Sequence, residues 1–143
     1  MSVTTADLTK MSQAELDSLY KSSLPGQLPD GDSQGTAIII PGSLLSQVLI
    51  PVIKALAWKG KVFHRDQDYL LNKVSSFSLR LIKAQIYRVS SWIDGEEAII
   101  LDYSKTSFVA QKIRDEIREV APSIYLGQAY WGKTRLLNFI LEF

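Results

Sequence analysis

The 143-residue chain has no cysteine and a single histidine, His64. Without cysteine there is no disulfide framework, thiolate nucleophile or Cys-ligated zinc or iron–sulfur site, and the composition fits a reducing compartment. One histidine leaves the familiar zinc combinations unavailable from this chain alone, and a serine triad would rest on that residue. No Gly-x-Ser-x-Gly elbow, P-loop or dinucleotide glycine fingerprint occurs. Neither sign of charge dominates: 16 Lys and Arg balance 15 Asp and Glu, for a formal net charge of +1. That balance gives no electrostatic footprint for nucleic acid. The N-terminus has no basic segment followed by an apolar one, so no secretory signal is expected, and a cytoplasmic protein is. The longest apolar stretch, residues 37–58, is broken by Pro41, Gly42, Pro51 and Lys54, which argues against a membrane span.

What remains is a one-domain chain, 46% hydrophobic, long enough to bury a core. The division expected is an N-terminal helix and irregular loop over 1–35 and a single barrel domain over 36–143. Ser12-Gln13-Ala14-Glu15 is a capping-box pattern that starts the N-terminal helix. After a strand at 36–40, Ser43 caps a helix over 43–57, interrupted by Pro51. Beyond Gly60 the chain turns β-rich, with strands expected at 61–65, 69–75, 79–92, 96–103, 123–131 and 134–143. Asp94-Gly95 and Gly132-Lys133 mark hairpins. Val109, Ile113, Ile117 and Val120, with Arg and Glu between them, predict a late helix over 107–120. The expected fold is α+β, mainly β: an antiparallel, strongly curved or closed barrel of about 7–8 strands carrying these helices.

Ala57-Trp58-Lys59-Gly60-Lys61-Val62-Phe63 is similar to the Trp- and Gly-containing entry into the barrel of lipocalin-like (calycin-type) proteins. Leu101-Asp102-Tyr103-Ser104, the segment 114–118 and Tyr125-Leu126-Gly127 resemble uncharacterised bacterial lipocalin-like proteins, so the resemblance spans roughly 56–143. It implies an interior or mouth that binds a small apolar molecule.

The expected ligand-binding set is Trp58, Tyr87, Arg88, Tyr103, Glu116 and Tyr125: aromatic rings with a polar handle, an arginine for a carboxylate, and a carboxylate flanking an apolar stripe. Glu116 and Asp102 are also the candidates for acid–base chemistry, set against a simpler role pairing with Lys112 and tying down a turn. The leading expectation is a lipocalin-like module binding a small hydrophobic or amphipathic molecule, with no cofactor and no metal. The alternatives are a cofactor-free isomerase- or cyclase-type barrel enzyme, and a filled-barrel structural or interaction protein that forms a homodimer through the helix at 44–56.

Overall fold

A computed structural model describes residues 2–39, 57–75, 77 and 79–143. Two short helices, α1 (Thr5–Thr9) and α2 (Gln13–Ser22), precede nine strands: β1 (Gly31–Asp32), β2 (Gln34–Ile39), β3 (Gly60–His64), β4 (Tyr69–Val74), β5 (Leu79–Ser90), β6 (Glu97–Asp102), β7 (Ile113–Ala121), β8 (Ile124–Trp131) and β9 (Thr134–Glu142). Among the described residues these form one antiparallel sheet in the order β1-β3-β4-β5-β6-β7-β8-β9-β2. From β3 to β9 each strand pairs with the next, as local hairpins dictate.

The sheet nearly closes because its first two strands are one segment broken at Ser33. Gly31–Asp32 pairs with β3, while Gln34–Ile39 pairs with β9, so the chain itself links the two ends of the sheet. Ser33 fastens the break: its hydroxyl donates to the Lys61 carbonyl at 2.6 Å and accepts from the Lys61 N–H at 3.2 Å. Gly60, at φ +142°, lies so close to the Ser33 carbonyl that a Cβ there would collide with it. Closure removes exposed sheet edges, the main aggregation liability of a β-protein.

Alternation sorts the side chains into two layers. Phe63, Leu70, Ile86, Ile99, Leu101, Ile117, Phe139 and Leu141 fill the interior. The opposite faces of β7, β8 and β9 are covered by the N-terminal helices, where Leu8, Leu16 and Tyr20 pack on Ile124, Leu126 and Ile140. Both helices begin with capping boxes, Thr4 with Asp7 and Ser12 with Glu15. The loop after α2 lies against the barrel end where β8 begins. Leu28 packs against the interior cluster, the Tyr125 hydroxyl donates to the Gln27 carbonyl at 2.6 Å, and Arg65 Nε to the Leu28 carbonyl at 2.6 Å. No helix among the described residues is long and apolar enough to cross a membrane.

Two expectations are corrected. The segment expected as a helix over 107–120 is a turn-rich connection followed by strand β7. Residues 109, 113 and 117 are spaced by four, which is a near-turn of helix but also an even step along a strand, so the spacing suits both periods. Pairing on both sides, Ile99 with Ile117 and Gly127 with Ile117, decides for the strand over the helix propensity of Arg and Glu. Among the described residues the strand number is nine rather than 7–8, since the first strand is split at Ser33 and 113–121 adds another. The proline-interrupted helix and its dimer face fall, except for Ala57, outside the described residues.

Candidate functional site

The barrel interior is not wholly apolar. At the end where β2, β4, β6 and β8 finish, a cavity of about 150 Å³ is walled by apolar residues that include Ala37, Val74, Ile82, Ala129, Leu137 and Phe139, and Trp58, Lys61, Asn72, Tyr103 and Asp115 also line it. Strand geometry brings these polar groups together. Lys61 alternates with Phe63 on β3, Asn72 with Leu70 and Val74 on β4, and Asp115 with Ile113 and Ile117 on β7, so each projects to the same side as core residues. Gly35 makes room for Trp58, because a Cβ at that position would collide with the Trp58 ring.

Lys61, only 4% exposed, is the centre of the cluster. Its Nζ donates to Asn72 Oδ1 at 2.7 Å and to Tyr103 Oη at 2.6 Å, and pairs with Asp115 Oδ2 at 3.2 Å. The rings of Trp58, Tyr103 and Phe139 surround the ammonium, with centroids at 5.5, 5.3 and 5.3 Å. Asn72 is held in one orientation: its Nδ2 donates to the Ile82 carbonyl at 2.9 Å and to Tyr103 Oη at 2.8 Å, while its Oδ1 also accepts from Trp58 Nε1 at 3.0 Å. Ile82 presents that carbonyl from a register break between β4 and β5, with φ at +58°, a costly conformation for a β-branched residue. Strain of this kind persists where the surroundings over-determine it.

Burial opposes the charge on Lys61, but Tyr103 and Asp115 outweigh it and push the lysine upward in pKa. Asp115, 3% exposed, is pushed upward by burial, which Lys61 and Tyr103 offset only in part. The Tyr103 hydroxyl donates to Asp115 Oδ2 over a long 3.4 Å, and Asp115 Oδ1 is buried with no hydrogen-bond partner among the described residues. A buried carboxylate oxygen without a donor carries an unrecovered desolvation cost.

Of the residues singled out from sequence, Trp58 and Tyr103 line this cavity. The others lie elsewhere. Tyr125 is in the interior but at the opposite end, bonded to Gln27, its pKa pushed up to about 12 first by burial and then by Glu119. Tyr87 is outside the barrel, donating to Asp102 Oδ2 at 2.7 Å, and Asp102 Oδ1 accepts from the Ser104 N–H at 2.9 Å in the turn after β6. Arg88 shares the inward side of β5 with Ala84 and Ile86, but it stands exposed at the barrel end near Tyr125, away from the cavity, and donates to the Gly26 carbonyl at 2.8 Å. Glu116, fully buried, sits under α2 on the outer face of the sheet. In place of a pairing with Lys112 it takes a salt bridge from Arg114 at 2.7 Å. Lys61, Asn72 and Asp115 were not among the sequence candidates; the signal for them is a polar residue at a position whose parity is otherwise apolar.

The site is thus a compact apolar chamber with an ordered, charged cluster at one wall, inside a nearly closed antiparallel barrel. No protein-family model matches the chain, and no curated protein matches it. Among solved structures, the crystal structure of a protein from Thermomonospora curvata is similar, with a TM-score of 0.60, 24% sequence identity, and coverage of 92% of this chain and 87% of that one. At that identity the likeness speaks for the barrel fold alone.

Proposed function

We propose that the protein is a small-molecule-binding barrel of lipocalin-like type, taking a compact, largely apolar molecule into the chamber beside Trp58, Lys61, Tyr103 and Asp115. The observation that carries this reading is the chamber itself: about 150 Å³ of space bounded mainly by hydrocarbon and ring surfaces. Apolar cavities of about that size accept one aromatic ring, and a few fixed polar groups at the wall are what ligand sites use to orient their guests. Binding to the folded state alone raises the melting temperature by mass action. Toluene added to the protein should therefore raise Tm in a dose-dependent way. Ala129→Leu, which puts side-chain volume into the chamber, should abolish the shift while the ligand-free Tm stays within a few degrees. No shift with any one-ring probe, together with nothing recovered in organic extracts by mass spectrometry, would overturn the proposal.

A second reading, a cofactor-free barrel enzyme, is favoured by one observation. Asp115 is a carboxylate at the chamber wall whose burial raises its pKa, the condition a general acid or base needs. On that reading Asp115 takes the role that sequence reasoning gave to Glu116 or Asp102. Turnover lost in Asp115→Asn but kept in Glu116→Gln, in a screen of one-ring carbonyl substrates, would favour it.

A further inference from the structure

The lysine in the chamber suggests an anion as guest, yet its hydrogen-bonding capacity points the other way. An ammonium has three protons, and those of Lys61 face Asn72 Oδ1, Tyr103 Oη and Asp115 Oδ2. Both protons of the Asn72 amide are engaged, by the Ile82 carbonyl and Tyr103 Oη. Trp58 Nε1 donates to Asn72, and the Tyr103 hydroxyl is directed at Asp115. Every side-chain donor of the cluster already has an acceptor. What the cluster leaves over is an acceptor, Asp115 Oδ1.

We infer that the guest is a compact ring bearing a neutral hydrogen-bond donor, a hydroxyl or ring N–H of phenol-like kind, and that Asp115 is the group that recognises it. This inference rests on the binding reading above and sharpens it. A carboxylate guest would meet the charge of Asp115 and find no uncommitted donor. A cationic amine would enter beside Lys61, whose Nζ lies 3.2 Å from the same carboxylate. A neutral donor meets neither penalty, and it satisfies the buried oxygen that has no donor among the described residues. The aromatic wall of Trp58 and Phe139, edge-to-face at 6.0 Å between centroids, suits a flat ring.

The test is a matched series of one-ring probes against the full chain at neutral pH: phenol, toluene, benzoate and benzylamine, with dissociation constants from ligand-observed NMR. Phenol should bind roughly tenfold tighter than toluene, the increment of one hydrogen bond to a charged acceptor, and the two ions should bind more weakly than either. Asp115→Asn should bring phenol towards the toluene value and leave toluene unchanged; should that variant not fold, the wild-type series decides by itself. Toluene equal to or tighter than phenol would overturn the donor inference and leave the binding reading standing. Benzoate as the tightest probe would overturn it in favour of Lys61 acting on an anion. Failure of all four to bind would overturn both readings.

Discussion

Asp115 and Glu116 are neighbours on one strand, both carboxylates and both buried, yet they face opposite worlds. Glu116 points outward under α2 and is saturated. Its Oε1 accepts from the Tyr20 hydroxyl at 3.0 Å, Gln128 Nε2 at 2.7 Å and the Ser91 hydroxyl; its Oε2 accepts from the Trp92 N–H at 3.0 Å and Arg114 at 2.7 Å. Burial raises its pKa, but the bonds from Ser91, Trp92, Arg114 and Tyr20 overcome that and hold it below the ordinary value of 4.5. Asp115 points inward, has one oxygen without a donor among the described residues, and is driven the other way. Burial therefore does not distinguish a carboxylate with its acceptors filled from one with an acceptor to spare; the completeness of its hydrogen bonding does.

The outer network is expected to be the more costly to break. Glu116→Ala removes the shared acceptor of Tyr20, Ser91, Gln128, the Trp92 N–H and Arg114, and so should lower unfolding stability by about 4–5 kcal/mol in urea titrations, the upper part of the range for disrupting a buried charged network. A loss under about 1 kcal/mol would mean that water replaces Glu116 without difficulty, and the distinction drawn between the two faces would fail. On the inner side, Lys61→Met should cost about 3 kcal/mol by leaving Asp115 charged and unpaired. The double variant Lys61→Met with Asp115→Leu should recover most of that loss, because apolar replacement of a whole buried pair is often neutral or better. It should also lose the preference for phenol over toluene. A double variant less stable than the single one would show that the inner cluster, like the outer, is needed to hold the barrel together.

The two networks were unequally legible in the sequence. Period-two alternation and the Gly132-Lys133 turn place β9 against β8 without ambiguity, and the observed pairing of Trp131 with Thr134 around that turn follows, with Gly132 at φ +61°. The Ser12 capping box likewise announces α2. What the sequence could not carry is β7 and everything hung on it. Arg118 looks like the solvated side of a helix and Glu116 like the flank of its apolar stripe, whereas both are outward strand residues roofed by α2, with Arg118 1% exposed and doubly bonded to Asp94 at 2.7 and 2.8 Å. The inner cluster joins β3, β4, β7 and the end of β6, and the meeting of Lys61 with Asp115 depends on curvature that brings non-adjacent strands together across the interior. Local pattern carries no information on that distance. Reading β7 as Ile113-x-Asp115-x-Ile117 would have exposed the charge facing inward, and the even spacing of the apolar residues hid it.

A milder perturbation tests whether the outer network depends on the helix above it. Ser12 accepts from the Glu15 N–H at 3.1 Å and Glu15 returns a bond to the Ser12 N–H at 3.0 Å. Ser12→Ala should lower stability by about 1 kcal/mol, the usual cost of losing an N-cap. The loss should be smaller when Glu116 has already been replaced, since the Tyr20 hydroxyl no longer fastens α2 to the sheet and the Arg118 bond to the Tyr20 carbonyl is left to do so. Strict additivity in that double-mutant cycle would separate the helix from the network.

The smallest effect, and the one that reads the sign of the comparison directly, is the pH dependence of stability. For Glu116 the folded pKa lies below the unfolded one, so its contribution is complete above about pH 4.5 and is lost as pH falls through the folded value. For Asp115 the folded pKa lies above the ordinary 3.8, so the sign reverses: its contribution is complete below that pH and is lost as pH rises through the folded value. Urea midpoints measured for wild type, Glu116→Gln and Asp115→Asn from pH 3 to 7 separate the two. The advantage of wild type over Glu116→Gln should shrink on acidification. The advantage of wild type over Asp115→Asn should shrink, or turn into a deficit, as pH is raised. Saturating phenol should flatten that second trend, because a donor to Asp115 stabilises its ionised form, while leaving the Glu116 trend untouched. Parallel trends for the two variants would mean that the inward and outward carboxylates are electrostatically alike, and that the bare oxygen of Asp115 is no mark of a binding site.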